Sequence, residues 1–256
     1  MECSLQSCTA GDILPLTAHP VKGCAAHTVC GCAQLPSLAV GTELFSGEKV
    51  LFRVVGRVFL PAEGGHSRAC PLIKALSPIE KGECSLSSRR KGWALAWITL
   101  SDKGAQGARE DTAGPCIESL VQAELPLSHA QGFILPDDAP SLSALLAELA
   151  CGQGYDLICT TGGTGVGPRD FTPQATKRVL DYELPGFSQA MMAASLAKTS
   201  RAVISRAVAG VIGQSLVINL PGSRKAVSEN LAAVLPALSH TLEKLHGDPA
   251  DCGAVQ

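Results

Sequence analysis

The chain carries little charge of either sign. Of its 256 residues 17% are charged, and the formal net charge is −2. It therefore lacks the basic surplus that broad nucleic-acid binding leaves in a sequence. It also lacks any apolar run of about 18 residues, so no transmembrane helix is predicted. The start, Met1-Glu-Cys-Ser-Leu-Gln-Ser-Cys8, has neither the basic region nor the apolar core of a signal peptide, and a cytoplasmic protein is expected. Low charge beside 46% hydrophobic residues predicts a packed globular chain, not a disordered one. No Ser-His-Asp machinery is visible. His129, His240 and His246 have no partner spacing and read as surface or satisfied residues.

Cysteine, by contrast, is plentiful and unevenly placed. There are eleven, an odd number in a chain without an export signal, which argues against a disulfide framework. Seven of them (Cys3, Cys8, Cys24, Cys30, Cys32, Cys70 and Cys84) precede residue 90, a first sign of two domains. Cys24, His27, Cys30 and Cys32 suggest a metal site, but Cys-x₅-Cys-x-Cys is not a standard zinc spacing and has no second cluster. The weaker reading, cysteines without a metal, is favoured.

Texture along the chain supports the division. Residues 1 to about 35 show no clear period. Leu38–Phe45 and Lys49–Leu60 flank Ser46-Gly47 and read as a hairpin. The expectation is a small, β-rich, loop-rich domain over 1–88, a polar linker over 89–93 with Arg89-Arg90-Lys91 as a solvated hinge, a second domain over 94–247, and a tail over 248–256. In the second domain strands and helices alternate. Ala94–Leu100, Ala130–Leu135, Tyr155–Thr160 and Ser215–Leu220 read as strands, the second weakened by Gly132. Apolar β-prone pieces lie around Arg201–Arg206 and Val208–Val211. Helices are expected after Asp111-Thr112, from Ser141, over Pro173–Leu180, over Pro185–Lys198 and over Ala226–His246, the last kinked or split by Pro236. Such alternation predicts a three-layer α/β/α domain around a mostly parallel sheet, with ligand loops at the strand C-termini.

One of those loops stands out. Tyr155-Asp-Leu-Ile-Cys-Thr160 feeds into Thr-Gly-Gly-Thr-Gly-Val-Gly-Pro-Arg-Asp170, and Thr172-Pro173 follows as a helix start. A strand, a glycine-rich turn and a helix N-terminus together hold anions: backbone N–H groups approach the ligand and the helix dipole favours negative charge. Without further context, Asp137 and Asp138 read equally as a strand stop and a helix cap, and Asp170 as a dipole complement worth about 0.3–1 kcal/mol. Met191-Met192 reads as core or subunit packing.

Six motifs in one order extend this loop into a pattern. They are Thr99-Leu-Ser-Asp102 with Glu110-Asp-Thr-Ala-Gly-Pro115; Leu135-Pro-Asp-Asp138; Thr160–Gly165 with Pro168–Thr176; Glu183-Leu-Pro-Gly-Phe187; Ser205–Gly210; and Asn219-Leu-Pro-Gly-Ser223. Over about residues 94–246 the chain resembles the molybdopterin adenylyltransferases of the MogA and gephyrin G-domain type. The resemblance implies transfer of AMP from Mg-ATP to the terminal phosphate of molybdopterin. It implies catalysis and Mg²⁺ binding at Asp137 and Asp170, and substrate or nucleotide contacts at Ser101, Asp102, Gly162, Gly163, Thr164, Gly165, Arg169, Pro221, Gly222, Ser223 and Lys225. It also implies a homotrimer, with a downstream molybdate-insertion enzyme as a partner, and neither nucleic acid nor membrane.

A carrier or scaffold of the same fold would bind the pterin without transfer; the presence of both Asp137 and Asp170 favours the enzyme. The molybdate-insertion and competence-damage relatives differ at the loop after the last strand and at Pro168-Arg-Asp170, respectively. Residues about 38–75, ending near His66-Ser-Arg-Ala-Cys70, resemble the later half of a MOSC domain, a β-rich module tied to molybdenum-cofactor sulfur chemistry or binding. For Cys70 the favoured reading is a small buried cysteine.

Overall fold

A computed structural model of the chain describes residues 1–18, 28–30, 37–61, 66–108 and 110–248. Two compact units emerge, Met1–Gly92 and Trp93–Gln256.

The first unit is an eight-stranded sheet. Its strands are β1 (Glu2–Leu5), β2 (Ile13–Thr17), β3 (Thr28–Cys30), β4 (Glu43–Ser46), β5 (Lys49–Pro61), β6 (Ser67–Ala75), β7 (Gly82–Ser85) and β8 (Ser87–Arg89), in the order β7-β1-β3-β2-β6-β5-β4-β8. The expected hairpin is β4–β5, closed through Gly47 at φ +59°. Alternating side chains put Leu5, Leu14, Leu16, Leu44, Phe52, Val54, Ile73 and Leu86 into one core. The first 35 residues, which show no clear period in sequence, supply β1, β2 and β3. These strands are three to five residues long, too short to register a period. Cys24, His27 and Cys32 lie outside the described residues.

The second unit is the three-layer α/β/α domain that the alternation predicts. Its sheet has the order β10-β9-β11-β14-β13-β12. The strands are β9 (Trp93–Leu100), β10 (Leu127–Leu135), β11 (Leu157–Thr161), β12 (Tyr182–Glu183), β13 (Ala209–Ile212) and β14 (Ser215–Leu220). The first four in that order run parallel, and β13 and β12 are antiparallel additions. Every residue of β11 and β14 is buried, as a strand covered on both faces requires.

Helices α1 (Asp102–Ala105), α2 (Gly114–Glu124), α3 (Ala139–Ala147), α4 (Thr172–Lys177), α5 (Pro185–Leu196) and α6 (Arg224–Leu245) cover the sheet. Leu95, Leu157, Cys159, Leu216 and Ile218 pack against Ile117 and Val121 of α2, Met191 of α5, and Val227, Leu231 and Val234 of α6. Burial there pushes the Cys159 thiol up to about 12. On the opposite face, Asn219 donates to Thr160 Oγ1 at 2.9 Å and to Thr176 Oγ1 of α4 at 3.0 Å. Ser143 of α3 joins the carbonyl of Ala175 in α4 at 2.9 Å.

Several boundaries differ from expectation for local reasons. Asp138, not Ser141, caps α3: its Oδ2 accepts the Ser141 N–H at 2.9 Å. Arg201–Arg206 is no strand but a 3-10 turn, Ser200–Ile204, leaving Val203 and Ile204 exposed despite their β propensity. Pro236 does not split α6. Gly132 does not weaken β10; it makes room for Trp97, whose indole would lie 2.5 Å from a Cβ there.

Candidate active site

The four parallel strands end on the same edge, and each hands the chain to a loop carrying expected site residues. Ser101 and Asp102 follow β9, and Asp137 follows β10. Gly162–Asp170 follows β11, and Pro221-Gly222-Ser223 follows β14. From β9 the chain continues to β10 on one side; from β11 it continues toward the opposite edge. The loops therefore diverge between β9 and β11, where parallel sheets open a ligand crevice.

Asp102 links three of these loops. Its Oδ1 accepts the Asp137 N–H at 2.9 Å, and its Oδ2 pairs with Nη1 of Arg169. Ser101 is engaged locally, its Oγ accepting from Gly104 N–H at 3.1 Å. The Asp137 carboxyl is raised above its ordinary value of 3.8, first by burial and then by the neighbouring Asp102. Asp170 pushes in the same direction more weakly, and Arg169 opposes both. Three carboxylates and one guanidinium thus converge on the crevice.

The glycine loop is held open by specific close approaches. Gly162 has φ +103°, and a Cβ there would stand 2.8 Å from the Leu100 carbonyl. At Gly163 (φ +64°) a Cβ would meet Thr172 Oγ1 at 2.4 Å. Thr172 does not act as the N-cap of α4. It lies inside the helix, and its hydroxyl donates to Gly162 O at 2.8 Å while its N–H reaches Gly163 O at 3.1 Å. Asp170 braces the far end, Oδ2 accepting the Gly167 N–H at 2.7 Å. The Gly162 N–H is engaged with Leu220 O at 3.2 Å. The expected four-residue cradle therefore reduces to Gly163, Thr164 and Gly165, whose N–H groups donate to no acceptor among the described residues.

Arg206 lies in the Ser205–Gly210 motif and has no role assigned by the sequence. Its Nε donates to Gly165 O at 2.6 Å, its Nη2 donates to Asp170 O, and its N–H donates to Thr164 O at 2.9 Å. It fixes the loop from behind by its carbonyls, leaving the N–H side facing outward. Nothing short of the folded contact gives this away, since a lone arginine after a β-prone run has no pattern.

Across from the glycine loop, Gly222 brings a second backbone close: a Cβ there would lie 3.3 Å from Gly162 Cα. Pro221 is tied by Thr161 Oγ1 to its carbonyl at 2.7 Å, and Ser223 caps α6 through the Ala226 N–H at 3.3 Å. Thr164, Gly165, Ser205, Pro221 and Asn230 line a cavity of about 240 Å³ between α5, the 3-10 turn and α6. Lys225 stands apart from it. With Arg224, Asp111, Thr112 and Cys116 it lines a wider cleft of about 920 Å³ between α2 and α6. Gly165 lines the smaller cavity, and a Cβ at Gly165 would lie 2.8 Å from Asp170 Oδ2, so the loop separates acidic cluster from cavity.

Backbone N–H donors and a guanidinium at the switch point of a parallel α/β sheet are groups suited to an anionic ligand. Residues 96–240 match the family described as probable molybdopterin binding domain, and the chain belongs to it. The chain is 38% identical to the molybdopterin adenylyltransferase of Haemophilus influenzae over 151 residues, 59% of this chain and 77% of that protein. It is 35% identical to gephyrin of Dictyostelium discoideum over 188 residues, covering 70% of this chain but only 25% of that longer protein. The solved structure of the molybdopterin biosynthesis enzyme MoaB from Thermus thermophilus aligns with TM-score 0.56 and 43% identity, covering 62% of this chain and 99% of that one.

Proposed function

We propose that this chain acts in molybdenum cofactor biosynthesis as a molybdopterin adenylyltransferase. The reaction moves AMP from ATP to the terminal phosphate of molybdopterin. A phosphate oxygen of the pterin bonds to the α-phosphorus of ATP, the bond from that phosphorus to the β-phosphate bridging oxygen breaks, and pyrophosphate leaves. A phosphate monoester has a second pKa of about 6 and is largely dianionic at neutral pH, so no general base is required. What the protein must supply is position and positive charge.

The observation that carries this reading is the meeting of Asp102, Asp137, Asp170 and Arg169 beside the glycine loop. Gly163, Thr164 and Gly165 would hold one phosphate through backbone N–H groups. The Pro221-Gly222-Ser223 start of the 22-residue α6 would favour a second anion, with Lys225 in the neighbouring cleft. Arg169, its side chain 74% exposed, is placed to leave Asp102 for an incoming phosphate.

Mg²⁺ fits the residues present. No group of three or more candidate ligands among the described residues is tight enough to cage an ion. Mg²⁺ needs only one or two carboxylates when substrate phosphates and water complete its shell. Asp137 and Asp170 would hold it, and a cation there would offset the negative charge that Asp102 and Asp170 place beside Asp137. When bound, Mg²⁺ would neutralise charge on the triphosphate.

The test is stoichiometric. Purified protein with molybdopterin, ATP and Mg²⁺ should release one pyrophosphate per adenylylated pterin, and omitting the pterin should abolish the release. Pterin binding without pyrophosphate would identify a carrier instead. Cytoplasmic location, a trimer and hand-over to a molybdate-insertion enzyme belong to the same proposal; no helix among the described residues is long and apolar enough to cross a membrane. So does the division at 88–94 with a MOSC-like first module, in which the buried Cys70 reads as packing.

A further inference from the structure

Cys3 on β1 and Cys84 on β7 stand directly opposite each other in the antiparallel ladder at the edge of the eight-stranded sheet. The bonding pattern of that ladder is fixed one step away. The Met1 amino group donates to Leu86 O at 2.7 Å, and the Leu86 N–H returns to Met1 O at 2.6 Å, so Met1 and Leu86 form a hydrogen-bonded pair. Such pairs recur every second residue, which makes Cys3 and Cys84 the next one. Residues so paired share a face of the sheet and have Cα atoms about 5.5 Å apart, inside the range of roughly 4.4–6.8 Å that disulfides span, and their Cβ atoms must draw together from about 5 Å to about 4 Å for the bond to form. Both side chains meet one core: Cys3 belongs to it at 3% exposure, and the half-buried Cys84 packs against it.

Cys3 has a second register partner, Cys30 on β3, so cysteines occupy one row across β7, β1 and β3. The Cys3/Cys84 ladder is the longer of the two, running Glu2↔Ser85 to Leu5↔Gly82, against Cys3↔Cys30 and Ser4↔Val29.

We propose that Cys3 and Cys84 form a reversible disulfide, with a low-molecular-weight disulfide such as oxidised glutathione as the oxidant. Cys84, the more accessible thiol, attacks first as thiolate. A bond forms between its Sγ and one sulfur of the small disulfide, whose other half leaves as a thiolate and takes up a proton. Cys3 then gives up its proton and attacks the Cys84 sulfur, releasing the second small thiol. Two protein thiols are oxidised and one disulfide is reduced to two thiols. The product ties β1 to the edge strand β7. This inference is independent of the transferase reading, since all its residues lie in the first unit.

The experiment treats the full chain with oxidised glutathione and digests it without reductant for peptide mass spectrometry. The expected result is a peptide pair joining Cys3 to Cys84, and its loss with dithiothreitol. Cys3→Ser removes the resolving thiol, so a stable glutathione adduct should accumulate on Cys84; Cys84→Ser should abolish both adduct and link. Circular dichroism of each variant checks that the fold persists. Glutathione on wild-type Cys84 with Cys3 still reduced, or a Cys3–Cys30 link, would overturn the proposal.

Discussion

Asp102 accepts the backbone N–H of Asp137 at 2.9 Å, so the loops after β9 and β10 are joined by a carboxylate that, next after burial, raises the Asp137 carboxyl. The folded chain holds that proton more tightly than the unfolded chain does. The contribution of Asp137 to stability is thus greatest at low pH and diminishes as pH rises through its raised value. On the proposed reading activity runs the other way, because Asp137 would have to be ionised to hold Mg²⁺. Turnover should fall as pH drops through a value above the ordinary 3.8. Asp102→Asn removes the first neighbouring negative charge and keeps an oxygen to accept the N–H. It should move the acidic limb of a kcat profile to lower pH. A limb that stays put would remove Asp102 from the electrostatics of the site.

Asp170→Asn separates charge from scaffolding. Asparagine Oδ1 can still accept the Gly167 N–H, so the loop should persist. Pterin binding should stay within about threefold, while kcat falls by about 100-fold or more, the scale of losing one electrostatic contact to a transition state. Equal losses in binding and turnover would point to a loop brace alone.

Gly163 and Gly213 form a matched pair for the loop geometry. Both have positive φ, +64° and +58°, but only Gly163 faces an obstacle, Thr172 Oγ1. Gly213→Ala should cost about 1–2 kcal/mol for the left-handed conformation. Gly163→Ala should cost about 1–2 kcal/mol more, because the Thr172 hydroxyl must move off Gly162 O. Urea denaturation of both variants measures the difference; equal costs would show that the loop yields freely.

How much of this was legible in advance depends on the range of the interactions. The glycine loop, the long last helix α6 and the run of parallel strands announce themselves through near neighbours and periodicity. Arg206 and Thr172 did not, because each acts on carbonyls brought in from another segment, 41 and 10 residues away. The segment Arg201–Arg206 misled, since Val203 and Ile204 carry β propensity yet find no partner strand. Lys225 follows Ser223 closely in sequence, but the helical turn of α6 carries it to the neighbouring cleft.

Asp156 and His246 show the same lesson at the opposite edge of the sheet. Asp156 is 2% exposed, accepts the Ala94 N–H at 2.6 Å, and lies 3.0 Å from Nε2 of His246 at the C-terminus of α6. Asp156→Ala should destabilise the domain by about 1–3 kcal/mol, since it strands the buried Ala94 N–H and removes the partner of His246. His246→Ala, at a more exposed partner, should cost less. The opposite order in urea midpoints would contradict this account of the lower edge.

Transfer of the α-phosphorus of ATP to the pterin is tested most directly by following that atom. With ATP labelled at the α-phosphate, the label should move onto molybdopterin in the presence of Mg²⁺, at a rate that Asp170→Asn reduces by about 100-fold or more. Label that remains on ATP or free AMP while wild-type protein stays loaded with pterin would contradict it.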